Sequence, residues 1–249
     1  MGWLGVVAVV GSLLVASLAF ILFTDLELSS ITAHDIVTSN LTSAPILFGY
    51  RLFCFILVIR TLLVILTDPI GLKITVPGRG GGLQTVTLNG YERLSTFTVW
   101  SWILIGIYFG FTSICGLMNL IGLETSIPFI LLQISWILYE LSFPISFLIT
   151  IIVSFVLIPP AIARGTHQPL FSTPSLLMHN ANVIMMTVEN LLNIIPFSYS
   201  HAVFGVLYGL LYAVFAWGWY HHKGVFYYFF LDYEFKGAEL WYLGLILVV

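Results

Sequence analysis

Apolar residues run along this chain in blocks, separated by short polar breaks. Six blocks are long: Gly2–Phe23, Pro45–Leu66, Phe97–Gly122, Ile127–Ile158, Pro174–Ile195 and His201–Tyr220. A seventh run, Leu240–Val249, is about half the ~20 residues that a membrane-crossing helix needs. The chain therefore either ends inside a helix or is cut short there. The pattern predicts an all-α fold, a polytopic transmembrane helix bundle of six to seven spans. No repeat or linker divides it, so residues 1–249 form a single transmembrane domain. The fourth block contains Pro144 and is long, which predicts a tilt or kink. Pro159 and Pro160 in "IPPAIARGTHQPLFSTP" are expected to stop that span near Ile158.

Composition agrees with the pattern. Of 249 residues, 59% are hydrophobic and 8% charged. The mean hydropathy is +1.05. Soluble domains carry about 25% charged residues, so a water-facing surface is excluded. The net charge of −3 and the lack of a basic cluster give nucleic acid no footprint. Membrane lipid is the expected surrounding. Cys54 and Cys115 lie in apolar runs and read as small core residues. His221 and His222 are adjacent, so a helix points them apart, and nothing else has metal-ligand spacing. No metal or cofactor is expected. "GRGGG", residues 78–82, lacks the ending of a phosphate loop and reads as a flexible cytosolic loop.

Charge also sets orientation. Of the eight Lys and Arg, six lie in alternate loops: Lys73, Arg79 and Arg93 after span two, Arg164 after span four, Lys223 and Lys236 after span six. The loops after spans one, three and five hold none. The basic loops and the N-terminus are thus expected on the cytosolic side of an endomembrane or plasma membrane. The sequon Asn40-Leu41-Thr42 falls on the lumenal or extracellular side. Span one lacks a basic n-region and a small-residue cleavage site, so it reads as an uncleaved anchor.

One block is not uniformly apolar. "MHNANVIMMTVENLLN", residues 178–193, holds a histidine, four asparagines and a glutamate. His179, Asn182, Met186, Glu189 and Asn193 follow at spacings of 3, 4, 3 and 4, one face of an α-helix, with Asn180 and Asn190 beside it. Lipid cannot satisfy such groups, so this stripe should face the bundle. Asparagines commonly tie membrane helices together. Glu189 is expected to pair with Arg51 or Arg60 of span two, or to stay protonated. Ionisable residues inside a membrane are functional candidates by default, and His179 and Glu189 share the stripe. Glu140 in span four reads as structural, and His34, His167 and His201 have no evident partner.

His179 lies about one and a half turns into a span that starts on the cytosolic side. Span three also starts there, at "RLSTFTVWSW", with Ser95, Thr96 and Thr98 in its first turns. A hydroxyl and an imidazole at matching depth can form a nucleophile–base pair. The same hydroxyls equally serve as caps for the helix start.

The order of segments resembles a known family. "LSTF" at a helix start, then "LLMHNANVIMMTVENLLN", then "SHAVFGVLYGLLYAVFAWGWY" and "FYYFFLDY" resemble the androgen-induced protein / FAR-17a family and the related rolling stone-like proteins. The likeness covers residues 45–249, with residues 1–44 an extra N-terminal span and lumenal loop. It implies a membrane hydrolase of fatty acid esters of hydroxy fatty acids, or similar lipid esters, using a threonine nucleophile and a histidine. Thr96, followed by Phe97, matches the threonine and His179 the histidine, with Ser95 and Thr98 flanking the match. Asn180 and Asn182 are then candidate oxyanion donors, and Glu189 and Asn193 hold the bundle together. The segment from span five onward is closer to the rolling stone branch. That favours a second reading, a non-catalytic accessory subunit, fusion protein or scaffold with membrane-protein partners. The aromatic stretch of residues 217–233 suits either reading as an interfacial belt. A third reading, a transporter with Glu140 and Glu189 as a proton relay, lacks the repeat halves such folds use.

Overall fold

A computed structural model of the chain describes residues 3–77 and 82–246. The bundle begins with α1 (Trp3–Phe23), a short helix α2 (Ala33–Val37) and α3 (Ala44–Thr67). A hairpin follows, β1 (Leu72–Pro77) and β2 (Leu83–Leu88), then a 3₁₀ segment Gly90–Ser95 and α4 (Phe97–Leu120). Helix α5 (Phe129–Ile151) passes through a π turn, Ile152–Leu157, into α6 (Ile158–Ala163). Helix α7 (Thr173–Leu176), a second π turn Leu177–Ala181 and α8 (Asn182–Leu192) form one continuous rod. Helices α9 (Ala202–Lys223) and α10 (Ala238–Ile246) complete the described chain.

Five helices are long and apolar enough to cross a membrane: Trp3–Phe23, Ala44–Thr67, Phe97–Leu120, Phe129–Ala163 and Tyr199–Lys223. This is an integral membrane protein with an all-α helical bundle. Large apolar side chains such as Phe53, Ile56, Leu63, Phe155 and Leu211 stay exposed on its outside. Water would not tolerate such a surface, whereas lipid tails solvate it.

Two of the bundle's three packing centres join most of the helices. In the first, α3, α4, α5 and the α7–α8 rod enclose Val58, Trp102, Tyr108, Trp136 and Met186. Helices α3 and α4 approach closely because α4 offers glycines: a Cβ on Gly106 would lie 2.7 Å from Val58 Cγ1, and one on Gly110 3.0 Å from Phe55 Cε2. In the second, α1 packs on α9 and α10 through Val6, Val10, Leu210 and Ala213. The segment between α1 and α3 is not free. Thr32 and Asp35 form a capping box at α2, and Ile31, Ile36 and Val37 are buried in the first centre.

The fourth span does not stop at Ile158, as its prolines led us to expect. The helix continues to Ala163. The preceding turn widens to π geometry, with the Ile158 N–H bonded to Val153 O, and Pro159 and Pro160 fall in the first turn of α6. That turn has no use for their missing N–H groups, so the proline penalty is avoided. Pro144 sits inside α5 without ending it. The loop after span two is also more ordered than a flexible connection. Residues 72–77 and 83–88 pair antiparallel, with Thr75 opposite Thr85 and their hydroxyls 3.1 Å apart. Most of "GRGGG", residues 78–81, lies outside the described residues.

Contacts gather the loops at two ends of the bundle. At one end the hairpin, Arg164 and Tyr227–Phe229 surround one cavity. At the other, Glu140 accepts the Ser198 N–H at 2.5 Å and pairs with His201 Nδ1, and His201 Nε2 donates to Leu26 O at 2.7 Å. Gln133 Nε2 there donates to Leu28 O at 3.1 Å. His201 thus has partners that its place in the sequence does not suggest. The two residues lock the loops after spans one and five onto α5, the structural role expected of Glu140.

Candidate functional site

A cavity of about 280 Å³ opens at the basic end of the bundle. Thr96 and His179 both line it. Thr96 is the N-cap of α4, with extended backbone (φ −85°, ψ 144°), and its Oγ1 accepts the Val99 N–H at 3.4 Å, a long cap bond. The hydroxyl is therefore held at the helix start but only weakly engaged. First-turn amides of a helix lack carbonyl partners within it, so the positive end of the α4 dipole lies beside this hydroxyl.

His179 sits in the second π turn and is 7% exposed. Its main chain is anchored to α5: Thr150 Oγ1 donates to His179 O at 2.6 Å. Its Nδ1 is buried and has no hydrogen-bond partner among the described residues. His201, by contrast, has both ring nitrogens engaged. Buried polar atoms are nearly always satisfied in folded proteins, and Nδ1 shares its lack of a protein partner with several other buried polar atoms of the bundle, Ser101 Oγ and Tyr208 Oη among them. Both π turns line the cavity, one through Val153, Val156 and Leu157, the other through Met178 and His179. Single π turns inside helices concentrate at functional sites.

The flanking hydroxyls separate. Ser95 Oγ donates to Glu92 O and is 2.9 Å from Tyr227 Oη, and Ser95 does not line the cavity. Thr98 lines it but sits against the Tyr228 hydroxyl. Of the three, Thr96 is the one both facing the cavity and free of a competing side chain.

The rest of the stripe goes elsewhere. Asn180 is exposed and does not line the cavity. Asn182 is buried against α5, where Nδ2 donates to Ser146 O at 3.3 Å and Oδ1 accepts from Thr150 Oγ1 at 3.3 Å. Asn180 is next to His179 in sequence, so any helix turns it to another side, and Asn182 is taken up by α5. Neither asparagine stands where an oxyanion at Thr96 would need a donor.

Glu189 is fully buried and pairs with Arg51, not the exposed Arg60. Its Oε1 accepts from Arg51 Nη2 at 2.7 Å, Arg51 Nε at 3.0 Å, Tyr108 Oη at 2.6 Å and Asn193 Nδ2 at 3.4 Å. Arg51 Nη1 also donates to Ile36 O at 2.6 Å. This cluster ties α2, α3, α4 and α8 together, away from the cavity. Tyr139 adds a bond from its hydroxyl to Asn190 Oδ1 at 2.6 Å.

Three cations stand around the cavity, Lys73, Arg93 and Arg164. Arg93 is buried and spends its donors on main-chain carbonyls: Leu88 O at 3.1 Å, Asp68 O at 2.7 Å, and Ile65 O. It thereby closes the C-terminal end of α3. Lys73 and Arg164 are exposed at the mouth. Nearby, Lys223 pairs with Glu92 and holds its carboxyl below the usual carboxylate range. Burial pushes the Tyr227 phenol up to about 12, so it remains a neutral donor. Among the described residues no three His, Cys, Asp or Glu side chains group closely enough to hold a metal ion.

Comparison of the chain with protein-family profiles, curated proteins and solved structures finds no match. The site must be read from its own geometry.

Proposed function

We propose that the cavity is the active site of an intramembrane lipid-ester hydrolase, with Thr96 as nucleophile and His179 as base. This is the activity implied by the resemblance to the androgen-induced family. One observation supports the reading: two side chains far apart in sequence, Thr96 and His179, line one cavity.

The chemistry follows from what each group lacks. A threonine hydroxyl is a poor nucleophile until a base takes its proton. His179 takes that proton as Thr96 Oγ1 bonds to the ester carbonyl carbon. The carbonyl oxygen becomes an oxyanion beside the first-turn amides of α4, which take the donor role first assigned to Asn180 and Asn182. Collapse of the intermediate breaks the ester C–O bond, and His179 gives its proton to the departing alcohol. Water, deprotonated by His179, then attacks the acyl-threonine and releases the fatty acid.

Protein reconstituted in lipid nanodiscs tests this with a long-chain ester. Thr96→Ala and His179→Ala should each lower turnover by about 10²–10⁴-fold, while Thr96→Ser and Ser95→Ala retain it. Wild-type turnover in Thr96→Ala overturns the reading. Equal background in wild type and Thr96→Ala favours the non-catalytic component instead.

A further inference from the structure

A second chamber, of about 90 Å³, lies between α5, α9 and α10. Thr98, Val153 and Tyr228 line both it and the larger cavity, so the two spaces adjoin at these three residues. We propose that this chamber binds one hydrocarbon chain of the lipid whose ester sits at Thr96, and that Gly209 sets how much chain it takes. The proposal rests on the hydrolase reading for the identity of the substrate, but chamber occupancy can be read without turnover.

The chemistry of the walls selects the occupant. Ile145 and Ile149 of α5 face Gly209 and Ala213 of α9 across the chamber. Two of the tyrosines that line it have turned their hydroxyls away: Tyr212 Oη donates to Ser95 O at 3.0 Å, and Tyr242 Oη to Leu231 O at 2.9 Å. Their rings face the space and their polar atoms are already satisfied. Tyr208 brings one further hydroxyl, near Ser101 but without a hydrogen-bond partner among the described residues. Water needs two to four polar partners to occupy a cavity, and apart from Tyr208, Thr98 and Tyr228 the lining offers it only hydrocarbon and already engaged hydroxyls. An empty void would forfeit dispersion contacts along its whole lining. A hydrocarbon chain meets both conditions, and the bilayer supplies it.

Gly209 is the informative position. In α4, Gly106 and Gly110 are required because a Cβ would collide with α3. At Gly209 a Cβ would meet no atom within 4 Å. Neither helix contact nor backbone conformation asks for glycine there, yet glycine costs a helix about 1 kcal/mol relative to alanine. Gly209 lines the chamber, so a larger side chain there would take up chamber space. Thr98, which lines both spaces, is two positions along the chain from Thr96, so the chamber adjoins the larger cavity close to the nucleophile.

The test uses full-length protein in nanodiscs and a palmitoyl ester carrying a photoreactive diazirine near the chain end. Labelling should fall on α5 and α9 peptides that line the chamber. Gly209→Leu should lower that labelling, and hydrolysis of the palmitoyl ester where wild type shows it, on the order of 50-fold. That corresponds to about four-fold for each of three excluded methylenes. Butyryl ester hydrolysis should change less than about two-fold. Gly209→Ala should have an intermediate effect, and the lipid-facing Leu211→Phe none; both report on folding. Labelling that is unchanged by Gly209→Leu, or that falls on other helices, overturns the chamber assignment. If labelling behaves as expected but no ester is hydrolysed above the Thr96→Ala background, the chamber stands and the hydrolase reading falls.

Discussion

Glu189→Leu removes the acceptor at the centre of the bundle's largest polar cluster. Arg51 is 1% exposed and Glu189 0%, so the arginine left behind has neither water nor a counter-charge. It keeps only the Ile36 carbonyl, and Tyr108 loses its acceptor. Breaking one member of a buried pair costs about 3–5 kcal/mol, mostly from the charge left uncompensated. For a chain of this size each kcal/mol moves Tm by about 2–4 °C, so the variant should melt about 6–20 °C lower. Thermal unfolding in detergent at constant pH, followed by tryptophan fluorescence, measures this. Arg51→Met in the same background should recover most of the loss, because an apolar pair has no charge to strand. A shift under about 2 °C, or a double variant worse than the sum of the singles, would refute the assignment of this cluster as the structural pin.

Three further outcomes follow from the packing and charge. Gly106→Ala should lower stability by about 1–3 kcal/mol, because Val58 is β-branched and cannot swing away from the new methyl; Val58→Ala should restore it in the same melt. Asn40 is exposed on the end opposite the basic loops, so expression in a glycosylating host should give a mobility shift that Asn40→Gln removes; a glycan added at that end would set the basic loops in the cytosol, and a clean absence in the wild type would argue for the reverse insertion. Glu92 should titrate below 4.5 by carboxyl NMR, and Lys223→Met should raise that midpoint. Since the folded value is depressed, the pair's stabilisation is present above the unfolded midpoint and fades as pH falls through the folded one.

Much of this fold was legible because the bilayer imposes a strict code. Long apolar runs mark five of the six long expected spans, whereas the Pro174–Ile195 block, interrupted by a π turn, is not among the helices long and apolar enough to cross a membrane. The partnership of Glu189 with span two was readable in kind, since a buried carboxylate demands a cation, but the choice of Arg51 over Arg60 depended on which side of α3 faces inward. The π turns were not readable. Nothing in "LLMHNAN" announces that the helix widens at His179. The 72–88 hairpin was missed because its alternation, Leu72, Ile74 and Val76 against Lys73 and Thr75, is short and sits next to a glycine run. Thr150 carries no sequence signal, since a lone threonine in a membrane helix usually bonds its own backbone, as it also does here to Ser146 O. The Glu140–His201 pair joins residues on different spans, and single-sequence periodicity does not see such contacts.

The central claim is that Thr96 becomes acylated with His179 as its base. Incubating nanodisc-reconstituted protein with a lipid-like fluorophosphonate and mapping the adduct by peptide mass spectrometry tests it most directly. The account predicts phosphonylation at Thr96, lost in Thr96→Ala and strongly slowed in His179→Ala. A label on Ser95 or Thr98, or undiminished labelling in His179→Ala, would contradict it.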